Sequence, residues 1–210
     1  MIKYNVKTVN DWLYHSNPIK KLYYNGMVRY RRFVANGQPT PPSFDGKWKA
    51  TYQDGHVESA QCGSSSEIVQ NEINKPNLVS VEIGDCVTTI GYGAFISCTS
   101  LTSIDIPSGV TSIGSAAFSG CRSLTSCTIG SNVESIGDST FSGCRSLTSI
   151  TINATTPPRL GGVYAFATNY PYISRGCPIY VPDASVELFK TATYWSEYAS
   201  RIKSISEKPQ

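Results

Sequence analysis

Few residues of this chain are spaced for catalysis. Its two histidines, His15 and His56, lie in separate segments, and neither neighbours a recognisable nucleophile motif. There is no G-x-S-x-G, no P-loop and no dinucleotide-binding glycine pattern. The pairs Ser119-Gly120 and Ser142-Gly143 recur at a fixed interval and read as turns. The seven cysteines include no C-x-x-C, and no Cys/His cluster accompanies them, so neither a metal site nor a cofactor is expected. Glu82 and Asp105 hold equivalent places one interval apart. On adjacent strands their carboxylates would stand about 5 Å apart on one face and invite a cation or a basic partner; a bare solvated pair is the competing reading. The chain is not read as an enzyme.

Binding chemistry is better represented. Lys20, Lys21, Arg29, Arg31 and Arg32 are interleaved with Tyr23, Tyr24, Tyr30 and Phe33 around Asn25-Gly26. An Asn-Gly pair between two such runs signals a hairpin, because a type I′ turn needs positive φ at both positions. Basic and aromatic residues together can hold nucleic acid through phosphate contacts and base stacking, but docking onto a larger assembly or self-association into a homo-oligomer, and a plain solvated hairpin, are both favoured over that. Residues 1–34 hold seven Lys/Arg against one Asp, a net of +6, while the rest hold eleven against fourteen.

The elements that must carry these residues follow from a 23-residue period. Leu78, Leu101, Leu124 and Leu147 recur at that interval, as do Ile83, Ile106, Ile129 and Ile152, and Phe95, Phe118 and Phe141. Such a period marks a solenoid, in which each unit buries its apolar edge only by stacking on neighbours. Ile104-Asp105-Ile106 alternates as a short strand with one face in and one out. Pro107-Ser108-Gly109 turns the chain, Val110 to Ile113 forms a second extended piece, and Gly114 allows another tight turn. Ala117 and Phe118 are expected to form a helical or 3₁₀ turn. Cys98, Cys121 and Cys144 share one repeat position and are expected as a ladder of buried thiols. No spacing pairs Cys62, Cys86, Cys127 or Cys177.

The unit L-T-S-I-x-I-P-x-x-V-x-S-I-G-x-x-A-F-x-x-C resembles the BspA-like leucine-rich repeats of bacterial surface proteins. Leu101–Cys121 fits closely, Leu124–Cys144 with Cys127, Gly130 and Thr140 as departures, and Leu78–Cys98 with Val81 and Gly84. The resemblance covers residues 60–203. It implies a β-rich leucine-rich-repeat solenoid of parallel strands and short helical turns, closed by a C-terminal helical cap. It also implies attachment to protein or glycan ligands. The expected organisation is a basic hairpin segment (1–34), a Pro/Gly linker (35–46), and a capping hairpin with a degenerate repeat (47–77). Leucine-rich repeats (78–176) follow, then a final strand and helical cap (177–210) with Asp183 as N-cap of a helix to about Thr191.

Two surfaces then stand out. The outward strand positions form stripes of Ser80, Ser103, Ser126 and Ser149, and of Glu82, Asp105, Thr128 and Thr151, suited to broad contact with protein or glycan. An inserted loop adds Tyr164, Tyr170, Tyr172 and Arg175, residue types enriched at interface hot spots; the alternative packs these tyrosines under the C-terminal cap. No run of about 20 apolar residues is present, so no membrane span is expected, and residues 1–7 lack the apolar stretch of a secretory leader. A removed leader would place the protein outside the cell or on its surface. Otherwise a virion-associated or cytoplasmic protein is expected, such as a phage fibre or decoration protein assembled through residues 1–34.

Overall fold

The computed structural model describes residues 20–24, 27–31, 46–63, 65–70, 72–73, 77–167 and 176–209. The chain divides into two units, residues 1–43 and 44–210. In the first, β1 (Lys20–Tyr24) and β2 (Met27–Arg31) pair antiparallel, with Tyr24 opposite Met27 on either side of Asn25-Gly26.

The second unit opens with a hairpin of β3 (Gly46–Tyr52) and β4 (Val57–Gln61), followed by β5 (Glu67–Ile68) and β6 (Leu78–Ile83). Gly46, expected at the end of the linker, is already in β3. Two strands per repeat follow: β7 (Thr89–Ile90), β8 (Ser103–Ile106), β9 (Ser112–Ile113), β10 (Ser126–Ile129), β11 (Ser135–Ile136), β12 (Ser149–Ile152) and β13 (Arg159–Leu160). The chain closes with β14 (Ile179–Val181), α1 (Val186–Thr191) and β15 (Ile202–Ser204). The strands stack as two parallel sheets, β8-β10-β12-β14-β15 and β5-β7-β9-β11-β13. Ser103, Ser126 and Ser149 are in register, as are Ile104, Cys127 and Ile150.

A third side is bonded from rung to rung without forming strands. Phe95 N donates to Ala117 O at 2.7 Å, Phe118 N to Thr140 O at 3.0 Å, and Phe141 N to Ala165 O at 2.9 Å. Of the helical or 3₁₀ turn expected at Ala117–Phe118, the structure has the tighter form, single i→i+3 turns such as Ser119 N to Ala116 O at 3.0 Å. A helix cannot form there because the amides of Phe95 and Phe118 are used between rungs. Each rung also carries a left-handed residue here, with φ of 55° at Gly93, 55° at Ala116 and 56° at Ser139.

Inside, Phe95, Phe118, Phe141 and Phe166 stack nearly parallel with centroids 5.2, 5.4 and 5.4 Å apart. Each ring is fully buried, and offset-stacked rings add to the burial energy. Rung spacing also explains the repeat glycines. Gly109 and Gly114 were expected as turn residues, and neither has a positive φ. A Cβ on Gly114 would lie 2.6 Å from the Gly91 carbonyl carbon, and one on Gly109 would lie 2.7 Å from Asp85 O. These glycines let neighbouring backbones approach.

The two ends are closed differently. At the start, β6 does not continue the parallel stack; it pairs antiparallel with β3, placing Lys49 opposite Glu82. Trp48, Ala50 and Tyr52 are buried there. Glu72 anchors the cap, meeting Lys47 Nζ at 2.7 Å and accepting from Trp48 Nε1 at 2.9 Å. Burial raises the Glu72 carboxyl, but the Lys47 ammonium and the indole N–H hold it, on balance, below its ordinary value of 4.5. At the other end Trp195 and Tyr198 cover Phe166, with ring centroids 5.2 Å apart for Phe166–Trp195 and 5.7 Å for Phe166–Tyr198, and Phe189 packs edge-on to Trp195 at 4.9 Å. Trp195 Nε1 donates to Pro158 O at 2.7 Å, and the Tyr198 hydroxyl accepts from Phe166 N at 3.1 Å.

Asp183 is not an N-cap. It is the first residue of a 3₁₀ turn (Asp183–Ser185) whose cap position is Pro182. Its carboxylate instead accepts from Ser204 Oγ and Ser206 N, tying the turn to β15. The strand at Ile179–Val181 is therefore followed by one more, β15, which the aromatic helix pattern concealed.

The close approach of rungs is testable at one glycine. A Cβ at Gly137 would stand 2.2 Å from Ser115 N, whereas at Gly63 it would meet nothing within 4 Å. In urea unfolding, Gly137→Ala is expected to cost about 1–3 kcal/mol, and Gly63→Ala to stay within about 0.5 kcal/mol of the parent.

Candidate functional site: the open strand face

The strands β8, β10 and β12 turn Ile104/Ile106, Cys127/Ile129 and Ile150/Ile152 into the core, and all six are buried. Their alternate residues face outward: Ser103 and Asp105, Ser126 and Thr128, Ser149 and Thr151. Parallel sheets are ordinarily covered on both faces. On this one the covering is local and grows along the stack. Ser103 and Asp105 are exposed, Ser126, Thr128 and Ser149 half-buried, and Thr151 buried. Thr151 is lost to solvent because the tail folds over it. Lys208 Nζ donates to Thr151 Oγ1 at 2.9 Å and lies 5.9 Å from the centre of the Tyr180 ring. The uniform stripe expected from the repeat therefore ends before β12 is complete.

It is also interrupted at its start. Ser80 and Glu82 are exposed on β6, but β6 belongs to the antiparallel cap sheet. No ladder joins it to β8, so Glu82 and Asp105 are not neighbours across a strand pair, as the period implied. One backbone hydrogen bond, from Thr102 N to Val79 O at 3.4 Å, meets where the two strands begin. Beyond it lies a cleft of about 340 Å³, bordered by Glu82 and Ile83 on one side and Asp105, Ile106 and Pro107 on the other.

The remaining candidates are dispersed. Tyr164 is 37% exposed, and its amide donates to Asp138 Oδ1 at 3.0 Å. Tyr170, Tyr172 and Arg175 lie outside the described residues, as do Arg32 and Phe33. Lys20, Lys21, Tyr23 and Tyr24 lie on β1, and Arg29, Tyr30 and Arg31 on β2.

His56 sits in the cap hairpin, its Nδ1 2.5 Å from Asp54 Oδ1 and its ring stacked 4.1 Å from Tyr52. The Tyr52 hydroxyl donates to Glu58 at 2.7 Å. The His56 hydrogen bond holds the exposed Asp54 carboxyl below its ordinary range. Asp54, Glu58 and Tyr52 surround this imidazole, and no Ser, Thr or Cys nucleophile is among them. Among the described residues no group of three His, Cys, Asp or Glu is placed to hold a metal ion, and no helix is long and apolar enough to cross a membrane.

One covalent feature escaped sequence reasoning. Cys62, just after β4, is bonded to Cys86, in the turn after β6, with Cα atoms 6.1 Å apart. The separation of 24 residues is one repeat period plus one, and that near-match was the available signal. The other five cysteines are buried thiols. The Cys121 and Cys144 thiols donate at 3.1 Å to the carbonyls of Phe95 and Phe118. The neighbouring Cys144 thiol, with burial, pushes Cys121 well above the ordinary thiol range, and burial does the same for Cys127. Such thiols are poor nucleophiles.

A stack of short parallel strands, one leucine-led turn per rung, defines a leucine-rich-repeat solenoid. Residues 66–169 match the BspA type leucine rich repeat region in six copies, and the repeat region of this chain belongs to that family. No curated protein matches the chain. Among solved structures it is similar to a leucine rich cell surface protein from Faecalibacterium prausnitzii, at 21% identity over 79% of this chain and 34% of that one, with a TM-score of 0.39. It is similar to the pneumococcal vaccine antigen PcpA at 20% identity over 61% and 29%, TM-score 0.44. It is similar to a leucine-rich repeat protein from Bacteroides ovatus at 25% identity over 83% and 36%, TM-score 0.33. The chain thus spans about a third of the length of these proteins.

The cysteine arrangement makes a counting prediction. Native protein treated with iodoacetamide is expected to gain no adduct by intact mass. After mild reduction it should gain two, on Cys62 and Cys86, while the five core thiols label only on unfolding.

Proposed function

We propose that this chain is a non-catalytic recognition protein that adheres to protein or glycan ligands through the open strand face of β8 and β10. The carrying observation is the partial covering of that sheet: its outer face is exposed or half-exposed over Ser103, Asp105, Ser126 and Thr128, and all four side chains are short and polar. Short side chains lose little conformational entropy on contact, and regularly spaced hydroxyls can donate and accept. The Cys62–Cys86 disulfide supports a site of action outside the reducing cytosol, in keeping with a cell-surface protein.

The test is binding of labelled protein to a glycan array and a panel of immobilised extracellular-matrix proteins. Ser126→Arg combined with Thr128→Arg is expected to weaken any ligand of the parent at least about tenfold, with an unchanged melting curve. Glu134→Lys, exposed just before β11 of the other sheet, is expected to leave it intact. Equal binding by both variants removes the strand face from the reading.

A second reading makes the chain a structural component of a phage or other large particle, docked through its N-terminal segment. The β1–β2 hairpin favours it, since two strands alone are marginally stable in water and Lys20, Lys21, Arg29 and Arg31 suit an acidic partner. This reading expects the full chain to be a trimer or larger by solution mass, and a fragment Phe44–Gln210 to be a monomer. Monomers in both cases end it.

A further inference from the structure

We infer that the cleft between β6 and β8 is a docking site for an extended, basic segment of a partner protein. The inference rests on the strand side of the solenoid being a recognition surface, and it names the chemistry of one partner.

The cleft arises from a conflict between two pairing patterns. One edge of β6 is taken by β3 and one edge of β8 by β10. The two remaining edges face each other without a ladder. Open strand edges carry backbone N–H and C=O groups in strand spacing, and an added strand satisfies them. An extended peptide entering beyond the Val79–Thr102 hydrogen bond can pair with the free edge of β8.

The cleft also selects for charge. Glu82 and Asp105 stand on its two sides, both exposed, and neither makes an ion pair or a side-chain hydrogen bond among the described residues. Lys49, cross-strand from Glu82, makes no ion pair with it. Among the described residues, no Lys or Arg borders the cleft. Val81, Ile83 and Ile106 are buried beneath it. An Arg or Lys on the peptide can lay its methylene stem on this apolar floor and bring its head between the two carboxylates.

The probe is a capped eight-residue peptide alternating Arg with Val and Thr, titrated into the full chain by fluorescence anisotropy, with backbone amide NMR to place it. Saturable binding is expected, with amide shifts at residues 80–83 and 103–106. The same peptide with Glu for Arg is expected to bind about tenfold more weakly or worse. So is the Arg peptide when it is offered to a Glu82→Gln, Asp105→Asn double variant, whose side chains keep their shape at exposed positions. Methylating alternate peptide amides, which removes the edge donors, should weaken binding similarly. Absence of saturable binding, equal affinity for the double variant, equal affinity for the methylated peptide, or shifts confined elsewhere would each overturn the inference. The broader adhesion reading is decided by the Ser126/Thr128 variant and natural ligands, so either can fail alone.

Discussion

Neighbouring rungs of this solenoid are held one strand spacing apart, and most other features are answers to that distance. Backbone hydrogen bonds on three sides set it, and stacked Phe rings 5.2–5.4 Å apart match it. Few side chains fit between backbones so close. Gly91, Gly114 and Gly137 have none, and a Cβ on any of them would lie within 2.6 Å of a neighbouring rung's atom. Cys98, Cys121 and Cys144 are spaced by the same distance, yet each thiol points the same way as the next. All three remain thiols, those of Cys121 and Cys144 bonded to carbonyls one rung back, whereas a disulfide requires side chains that converge.

A solenoid stabilised by its neighbours has a problem at each end, and the two ends are solved with opposite strand directions. At the start, β3 and β4 meet β6 antiparallel, with Trp48 and Tyr52 turned inward and the Lys47–Glu72 pair holding the corner. At the finish, β14 and β15 continue the parallel stack while Trp195 and Tyr198 close the Phe column. The antiparallel solution leaves β6 out of the parallel sheet, and so opens the cleft. The parallel solution brings the tail across Thr151, and so shortens the polar face. The part of the strand face that stays available is thus defined by the caps as much as by the repeats.

What was legible in the sequence was what repeats. The registers Ser103–Ser126–Ser149 and Ile104–Cys127–Ile150 follow from a period that any rung must obey, and so does the buried Phe column. What repeats also misled where the environment changes. Glu82 and Asp105 are equivalent in sequence, but β6 has a different partner, and pairing across residues 48 and 83 leaves no local pattern to read. Asp183 looked like a helix cap because the residues that claim its carboxylate, Ser204 and Ser206, lie far along the chain. The left-handed positions at Ala116 and Ser139 were invisible because only one of the three equivalent residues, Gly93, is a glycine. Cys62 and Cys86 belong to a terminal unit, where the period slips by one.

The position of that disulfide has a mechanical side. It closes a loop spanning 24 residues, and both β5 and β6 lie inside it. Tension applied between the two ends of the chain passes through the sulfur bridge and bypasses the residues it encloses. Roughly 80 Å of contour length is therefore withheld from any extension. A pull from the N-terminal side can peel β3 from β6, but it cannot draw out the rung on which the parallel stack begins. Reduction of one exposed bond releases that reserve, which makes the first rung's resistance to stretching a property of the redox state of its surroundings.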